Sequence, residues 1–177
     1  MFARTDHLFL RPAWNQDASA LRAAIGSAAQ SLCWGRWPTV GNVEHWLEAQ
    51  DPMLPRLLVF ARTDDAPELI GGTGLHRHAD GDVELDCWIS PHRRNLGFAT
   101  EASHAMLGIA QALGLDKLTA CVFGDDRAAL RIVERLGFQP CGPSPRQSAA
   151  QDASSMIKRF RRQIGSDRLI SSELLAA

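Results

Sequence analysis

Several patterns that would assign this chain to a well-marked class are missing from it. Its 177 residues include no tyrosine, and its four cysteines form no Cys-x-x-Cys pair. The isolated cysteines argue against a structural zinc site and favour thiols in a reducing compartment. No stretch approaches the roughly 20 consecutive apolar residues of a membrane span, and residues 1–14 lack the apolar core of a signal peptide. These absences predict a cytoplasmic protein with no membrane and no metal partner.

The charge balance excludes a further class. Nineteen basic and twenty acidic side chains give a net charge of −1, so no basic excess indicates a partner such as nucleic acid. An apolar fraction of 45% with 22% charged residues is typical of a soluble globular protein. At this length we expect one domain over residues 1–177, whose core needs no disulfide or metal to hold it together.

The hydrophobic periodicity changes along the chain and predicts a mixed architecture. Helices are expected after a cap at Asn15 or Asp17, from Asn42 to Gln50, from Gly97 to Gly114, and after a cap at Asp125 or Asp126. Strands are expected at 7–12, 57–61, 69–77, 83–89, 117–123, 138–141 and 155–163. The early strands meet in hairpins and a strand–helix–strand unit follows, an order that indicates an α+β fold with about four helices.

The turn that follows the strand at 83–89 carries the clearest functional signal. His92, Arg93 and Arg94 give it positive charge, and Gly97 opens a helix whose first amides point outward, an arrangement suited to phosphate. Taken alone, the segment also fits an ordinary helix start behind a solvated basic turn. Neither G-x-x-x-x-G-K-[ST] nor a helix-opening G-x-G-x-x-G occurs, which argues against P-loop and Rossmann nucleotide sites.

The same turn resembles the acyl-CoA loop of a known family. Residues 94–99 (RNLGFA) match the Q/R-x-x-G-x-G/A loop of the GCN5-related N-acetyltransferases (GNAT), and their continuation, residues 100–102 (TEA), resembles the ribosomal-protein N-terminal acetyltransferase branch. Three further stretches are similar to that branch in the expected order, namely residues 7–12 (HLFLRP), 83–91 (VELDCWISP) and 129–138 (ALRIVERLGF). The resemblance covers residues 5–141 and leaves 142–177 as a variable C-terminal strand and tail.

The resemblance implies a fold and a cosubstrate site. It implies three α/β/α layers around a mixed, mostly antiparallel sheet, splayed at its central parallel pair to hold acetyl-CoA. The amides of 96–100 would bind the pyrophosphate, and Ile89 would pair with the pantetheine arm. Asp126, where the family commonly has asparagine, serves the cofactor or only caps its helix, and Arg131 reaches a phosphate or only the surface. The implied cofactor contacts are Trp88, Ile89, Arg94, Asn95, Leu96, Gly97, Phe98, Ala99, Thr100, Asp126 and Arg131.

The sequence indicates the residues for proton transfer less clearly than those for cofactor binding. Glu84, on the strand where related enzymes often carry a glutamate, is the candidate general base, directly or through a water; the alternative is a solvated strand carboxylate. The family's usual acid is a tyrosine in the last signature helix, where this chain has Val133. Its tyrosine-free sequence leaves Cys121, Asp126 or a water as substitutes.

The acceptor side rests on fewer signals. Asp86 leaves the same strand face as Glu84 and, with Asp82, would form an acidic strip suited to a cationic amine, or merely an exposed face. Tryptophans Trp34 and Trp37 lie where relatives line the acceptor pocket. His76 and His78 alternate on a strand but lack a third ligand, so solvent-facing side chains are expected.

The predicted function is therefore acetyl transfer from acetyl-CoA to a primary amine, on a peptide or protein N-terminus or a small molecule. The alternative is a catalytically silent acyl-CoA-binding sensor or scaffold, which the missing acid supports. Relatives suggest a monomer or a homodimer.

Overall fold

The computed structural model describes residues 2–26, 37–48, 53–64, 66–123, 126–143 and 157–165. The chain folds into two compact units. Unit one comprises Met1–Leu75 and Asp86–Met106, and unit two comprises His76–Leu85 and Leu107–Ala177. The single-domain organisation expected above stays a prediction.

Eight strands and four helices lie within the described residues, in agreement with the predicted α+β class. The strands are β1 (Ala3–Arg4), β2 (Leu8–Pro12), β3 (Arg56–Ala61), β4 (Glu68–Arg77), β5 (Val83–Ile89), β6 (Lys117–Phe123), β7 (Gln139–Pro143) and β8 (Ile157–Gln163). The helices are α1 (Ala18–Gly26), α2 (Val43–Glu48), α3 (Phe98–Ala112) and α4 (Arg127–Arg135). No described helix combines the length and apolarity that crossing a bilayer requires.

Unit one is built on an antiparallel run of strands in the order β1, β2, β3 and β4. Leu8 pairs with Ala61, and Arg56 pairs with Gly74, so the apolar residues of β2 and β3 come into register. Aliphatic and tryptophan side chains from α1, α2, β3 and β5 then pack into one buried cluster, to which residues at helical spacing in α1 contribute. The sequence pattern predicted β2, β3, β4, β5 and α2 to within two residues at each end, but it did not predict the short strand β1.

Two glycines of β4 explain how tightly this cluster packs. A Cβ on Gly72 would lie 2.4 Å from the Trp37 ring and 2.8 Å from the Trp88 indole nitrogen. On Gly71 it would lie 2.2 Å from the Trp88 carbonyl oxygen. The glycine run in β4 therefore serves close packing of indole rings and backbone, since only glycine leaves room for both.

Unit two contains the single parallel pairing found among the described strands. Glu84 of β5 is in register with Thr119 of β6. Strand β6 pairs antiparallel with β8, and β8 pairs antiparallel with β7. The strand pairing is thus mixed and mostly antiparallel, as predicted, while the splay beyond the parallel pair stays a prediction.

One predicted helix start is wrong, and one open choice is settled. Neither Asn15 nor Asp17 caps α1, because both lie in a 3-10 turn that precedes it. The Asp17 carboxylate instead accepts two hydrogen bonds of 2.7 Å from the buried Arg11 guanidinium and one from the Trp14 amide. At α4, Asp126 is the cap, since its Oδ1 accepts the Ala129 amide at 2.9 Å.

Candidate active site

In unit one, the turn between β5 and α3 presents an open row of backbone donors. The first hydrogen bond that enters α3 runs from the Glu101 amide to the Gly97 carbonyl at 3.0 Å. Amides 96–100 come before it and donate to no other described residue, as expected for a helix start. Asn95 and Gly97 shape the turn with φ angles of 63° and 86°. Because residues 94–97 are exposed, an anion can reach these amides from solvent.

The turn is tied to the end of β5 by a side chain. The Arg94 Nε donates to the Ile89 carbonyl at 3.0 Å. One donor from the same chain thus already bonds the Ile89 carbonyl, whose oxygen can accept a second, and the pairing of Ile89 with a pantetheine arm stays a prediction. The terminal nitrogens of the exposed Arg94 guanidinium make no hydrogen bond to any other described residue.

The sequence suggested that Arg93 supplies positive charge to a ligand, but in the structure its charge is paired within the chain. Its guanidinium forms an ion pair with Glu68 on β4, which His92 also contacts at 3.1 Å. The hydrogen bond from Arg93 is the main cause that lowers the pKa of the Glu68 carboxyl, against the opposing effect of burial. The turn therefore offers one cation for a ligand, Arg94, and not two.

The tryptophans of unit one form a closed cluster. The Trp37 ring lies 5.4 Å from that of Trp46 and 5.9 Å from that of Trp88, centroid to centroid. The Trp37 Nε1 donates to the buried Asp86 carboxylate at 3.0 Å. Trp37 and Asp86 thus meet, but as buried partners and not as an exposed wall for a substrate. Trp34 lies outside the described residues.

Trp88 is placed in a way that limits its predicted role. Its indole is buried, and its Nε1 has no hydrogen-bond partner among the described residues. The nitrogen points at Gly72, where a Cβ would lie 2.8 Å away. A pantetheine contact at Trp88 would therefore fall to its backbone.

In unit two, Glu84 lies against a histidine. Only 2% of the Glu84 side chain is exposed, and its Oε2 lies 2.6 Å from the Nε2 of His78, whose side chain is 16% exposed. This corrects both the solvated alternative for Glu84 and the expectation that His78 faces solvent. The Asp80-Gly81 turn carried the signal for this pair, because it brings the two residues together from either side of one hairpin. The alternation of His76 and His78 had drawn attention only to metal ligation.

Asp82 does not extend an acidic strip, because cations neutralise it. Its carboxylate lies 2.7 Å from the Lys117 ammonium, and 2.6 Å and 3.5 Å from the Arg159 and Arg161 guanidiniums. The hydrogen bond from Lys117 is the largest cause that lowers the pKa of Asp82, with the arginines adding to it. With Glu84 and Asp86 also buried and partnered, the predicted strip of free negative charge is absent from these residues.

The remaining predicted residues lie on or near α4. Asp126 is engaged as a helix cap and Arg131 is exposed. Val133, at the position of the family's tyrosine, is buried. Cys121 on β6 is half-buried. Among the described residues, no group of three or more histidine, cysteine or acidic side chains could hold a metal ion.

Comparisons with known proteins agree with this arrangement. A family model described as an acetyltransferase (GNAT) domain matches residues 7–139. A curated relative, the uncharacterized N-acetyltransferase YoaA of Bacillus subtilis, is 29% identical over 78% of this chain and 82% of its own length.

Two solved structures show the same fold at low identity. The apo structure of RimL, the ribosomal L7/L12 alpha-N-protein acetyltransferase, superposes with a TM-score of 0.75 at 15% identity over 92% of this chain and 94% of its own. The structure of yncA from Salmonella typhimurium, a putative acetyltransferase with its cofactor acetyl-CoA, gives 0.69 at 18% identity over 90% and 95%.

Proposed function

The chain belongs to the acetyltransferase (GNAT) family, and from that membership we propose that it moves the acetyl group of acetyl-CoA to a primary amine by direct attack in a ternary complex. Acetyl-CoA is the acyl donor that this family uses, and the structurally similar yncA carries it as a cofactor. Acetyl-CoA is thus the cosubstrate that family membership supports, and the acceptor and the chemical steps form the proposal.

The observation that carries the proposal is the row of amides at 96–100. They donate to no other described residue, and a helix N-terminus favours a diphosphate through both hydrogen bonds and the helix dipole. Gly97 has a φ of 86°, and a Cβ there would meet nothing within 4 Å, so an approaching ligand finds open space. Asn95 and Arg94 flank the row. The residues present therefore fit the diphosphate of a coenzyme A thioester.

Direct attack requires a neutral amine held against the thioester. Positioning the two reactants accounts for much of such a rate enhancement, and removal of the ammonium proton accounts for much of the rest. We assign that removal to Glu84, directly or through a water. Burial raises the pKa of the Cys87 thiol to about 12, so this thiol stays protonated near neutral pH and makes a poor nucleophile. Its protonation favours direct transfer over an acyl-cysteine at Cys87.

The proposed acceptor is a peptide or protein N-terminus, or a small amine. The resemblance of residues 100–102 to the N-terminal acetyltransferase branch supports the first of these. An α-amine, with a pKa near 7.7 to 8.0, is also easier to deprotonate than a lysine side chain near 10.4. An α-amine acceptor therefore needs less help from a general base than a lysine side chain does.

A silent acyl-CoA-binding module remains the second candidate, and one observation favours it. Val133 occupies the tyrosine position and is buried, so no hydroxyl there can protonate the leaving thiolate. Measurement of CoA release with a panel of peptides and small amines separates the two functions. Tight acetyl-CoA binding without turnover on any of them would support the module.

The amide row is tested by a matched pair of glycine variants. Gly97→Glu places a carboxylate beside the proposed diphosphate site, whereas Gly114→Glu carries the same change beyond the other end of α3. Both glycines have positive φ, 86° and 76°, and neither Cβ would meet an atom within 4 Å. We expect calorimetry to give an acetyl-CoA affinity at least tenfold weaker for Gly97→Glu, with Gly114→Glu close to wild type. Equal affinities would contradict the assignment.

A further inference from the structure

Glu101, in the first turn of α3, reaches back to the turn between β1 and β2. Its Oε1 accepts the backbone amide of His7 at 2.9 Å, and its Oε2 lies 3.1 Å from the His7 Nδ1. We propose that Glu101 is a positioning residue for the cosubstrate, because it holds the amide row at 96–100 in the conformation that binds a diphosphate. The inference rests on the proposed function and adds to it a residue that acts through the row.

This anchor lies directly at the end of the row. Glu101 follows the row in the chain, and its own amide makes the first helical hydrogen bond, to the Gly97 carbonyl at 3.0 Å. Both residues and the row belong to unit one. Because amides 96–100 donate to no other described residue, their own hydrogen bonds do not fix their direction. Contacts at the two ends of the row therefore matter, and they are the bond from Arg94 to the Ile89 carbonyl and the Glu101 anchor.

The turn between β1 and β2 is a fixed point for the anchor. Thr5 and Leu8 close it, since the Thr5 amide donates to the Leu8 carbonyl and the Leu8 amide to the Thr5 hydroxyl, each at 3.0 Å. The Arg62 guanidinium, just after β3, donates to two carbonyls of the turn at 3.1 and 2.8 Å. The Arg62 amide donates to the His7 carbonyl at 2.9 Å. Glu101 is thus attached to a turn that is itself bonded to the chain beyond β3.

The Glu101 carboxylate has two opposite effects on an anion at the row. Burial raises the pKa of this carboxyl, but hydrogen bonds from Thr5 and His7 outweigh burial and hold the pKa below its usual value. The group is therefore ionised near neutral pH, and its charge alone would weaken the binding of a diphosphate. As a hydrogen-bond acceptor it strengthens that binding by ordering the row. A substitution that removes the charge and keeps the acceptor separates the two effects.

Order in the free protein raises affinity because the entropy of fixing the row is lost before the ligand arrives. The apparent affinity falls in proportion to the population of the binding conformation. If the row without its anchor adopts that conformation about one-tenth of the time, acetyl-CoA should bind about tenfold more weakly.

The test measures acetyl-CoA affinity by titration calorimetry with the full chain. Glu101→Ala removes charge and acceptor and should bind about tenfold more weakly than wild type. Glu101→Gln keeps an oxygen that accepts the His7 amide and should stay within about threefold of wild type. The matched control Glu44→Ala breaks the exposed pair of Glu44 with Arg22 in the same unit and should leave the affinity unchanged. Equal or tighter binding in Glu101→Ala, or an equal loss in Glu101→Gln, would overturn the assignment.

Two NMR measurements separate positioning from a general structural role. Backbone order parameters at 96–100 should be about 0.85 in wild type and Glu101→Gln and lower in Glu101→Ala, with the rest of unit one unchanged. Inorganic pyrophosphate, a probe that carries only the group expected at the row, should shift amides 96–100 at about tenfold higher concentration in Glu101→Ala. A loss of order spread over all of unit one would contradict a positioning role.

Failure of the inference is distinguishable from failure of the proposed function. If amides 96–100 of wild type respond to neither acetyl-CoA nor pyrophosphate, the proposed function loses its supporting observation and the role of Glu101 fails with it. If they respond equally in wild type and Glu101→Ala, only the role of Glu101 is overturned. Should Glu101→Ala not fold, Thr5→Val removes a hydroxyl that bonds the same carboxylate and should weaken binding about threefold. A wild-type affinity in Thr5→Val would then overturn the inference.

Discussion

The turn at residues 94–100 differs from the charged cluster at the start of β5, which consists of Asp82, Glu84 and their basic partners. Polar groups in the turn are left open, whereas those in the cluster are paired. In the turn, amides 96–100 donate to no other described residue and Gly97 is exposed. In the cluster, Asp82 and Glu84 are buried, and each carboxylate meets a basic side chain. The turn can therefore bind a negatively charged ligand, whereas the carboxylates of the cluster are already paired with basic side chains of the same chain.

The two regions also differ in what holds them in shape. The turn depends on backbone conformation, with positive φ at Asn95 and Gly97, and on the bond from Arg94 to the Ile89 carbonyl. The cluster depends on side chains brought together by strand register, since Glu84 pairs with Thr119 and Cys121 with Arg159. Substitutions in the turn should therefore change ligand affinity, and those in the cluster should change stability.

The largest expected effect is on stability, from Asp82→Asn. Removal of this carboxylate leaves the Arg159 guanidinium, whose side chain is 11% exposed, with only the 3.4 Å contact to Asp80. We expect urea unfolding at pH 7 to show a loss of about 2 to 3 kcal/mol, below the upper range for buried pairs because Lys117 and Arg161 are partly solvated. The matched control is Asp80→Asn, which keeps its turn acceptor and should cost under about 0.5 kcal/mol. Equal losses of unfolding free energy in the two variants would contradict the larger contribution that we assign to the buried Asp82 carboxylate.

The same pair of proteins gives a pH prediction. The pKa of Asp82 is lowered in the folded state, chiefly by the hydrogen bond from Lys117. A lowered carboxyl pKa contributes stability that is fully present above the unfolded value, near 3.9, and is lost as pH falls through the folded value. The difference in unfolding free energy between wild type and Asp82→Asn should stay constant above about pH 5 and shrink below pH 4. A difference that grows with acid would contradict this assignment.

The contrast also shows what the sequence could predict. Gly97, the basic turn and the α3 periodicity located the amide row, because a few residue types specify a helix start with positive φ. The pairing of Arg93 with Glu68 and of His78 with Glu84 was missed, since the partners in each pair lie on different strands of one hairpin or just beyond their ends. Local pattern gives no partner for such side chains until the hairpin register is known. The Asp82 network needed β6 and β8 as well, which lie 35 or more residues further along the chain.

A moderate effect on affinity is expected for Arg94→Gln. This change removes the bond to the Ile89 carbonyl and the cation beside the amides, so the acetyl-CoA affinity should fall about tenfold, equivalent to about 1.4 kcal/mol. The matched control is Arg93→Gln, whose guanidinium is engaged by Glu68 and should change the affinity less than twofold. Titration calorimetry at two salt concentrations measures both, and the loss for Arg94→Gln should shrink as salt rises. A larger loss of acetyl-CoA affinity for Arg93→Gln than for Arg94→Gln would contradict the assignment of Arg94 as the cation that contacts the cosubstrate.

The smallest expected effect comes from Asn95 and separates its backbone from its side chain. Asn95 has a φ of 63°, which asparagine tolerates and glycine adopts freely. If the turn uses only the backbone of this residue, Asn95→Gly should change acetyl-CoA affinity and the free energy of unfolding by less than about 0.5 kcal/mol. Asn95→Val should cost about 1 to 2 kcal/mol of stability, because a β-branched side chain is strained at positive φ. A tenfold loss of affinity in Asn95→Gly without a loss of stability would instead assign the amide side chain a direct contact with the cosubstrate. The turn would then bind the cosubstrate through a side chain as well as through its backbone amides, and it would differ less from the cluster, which depends on side chains.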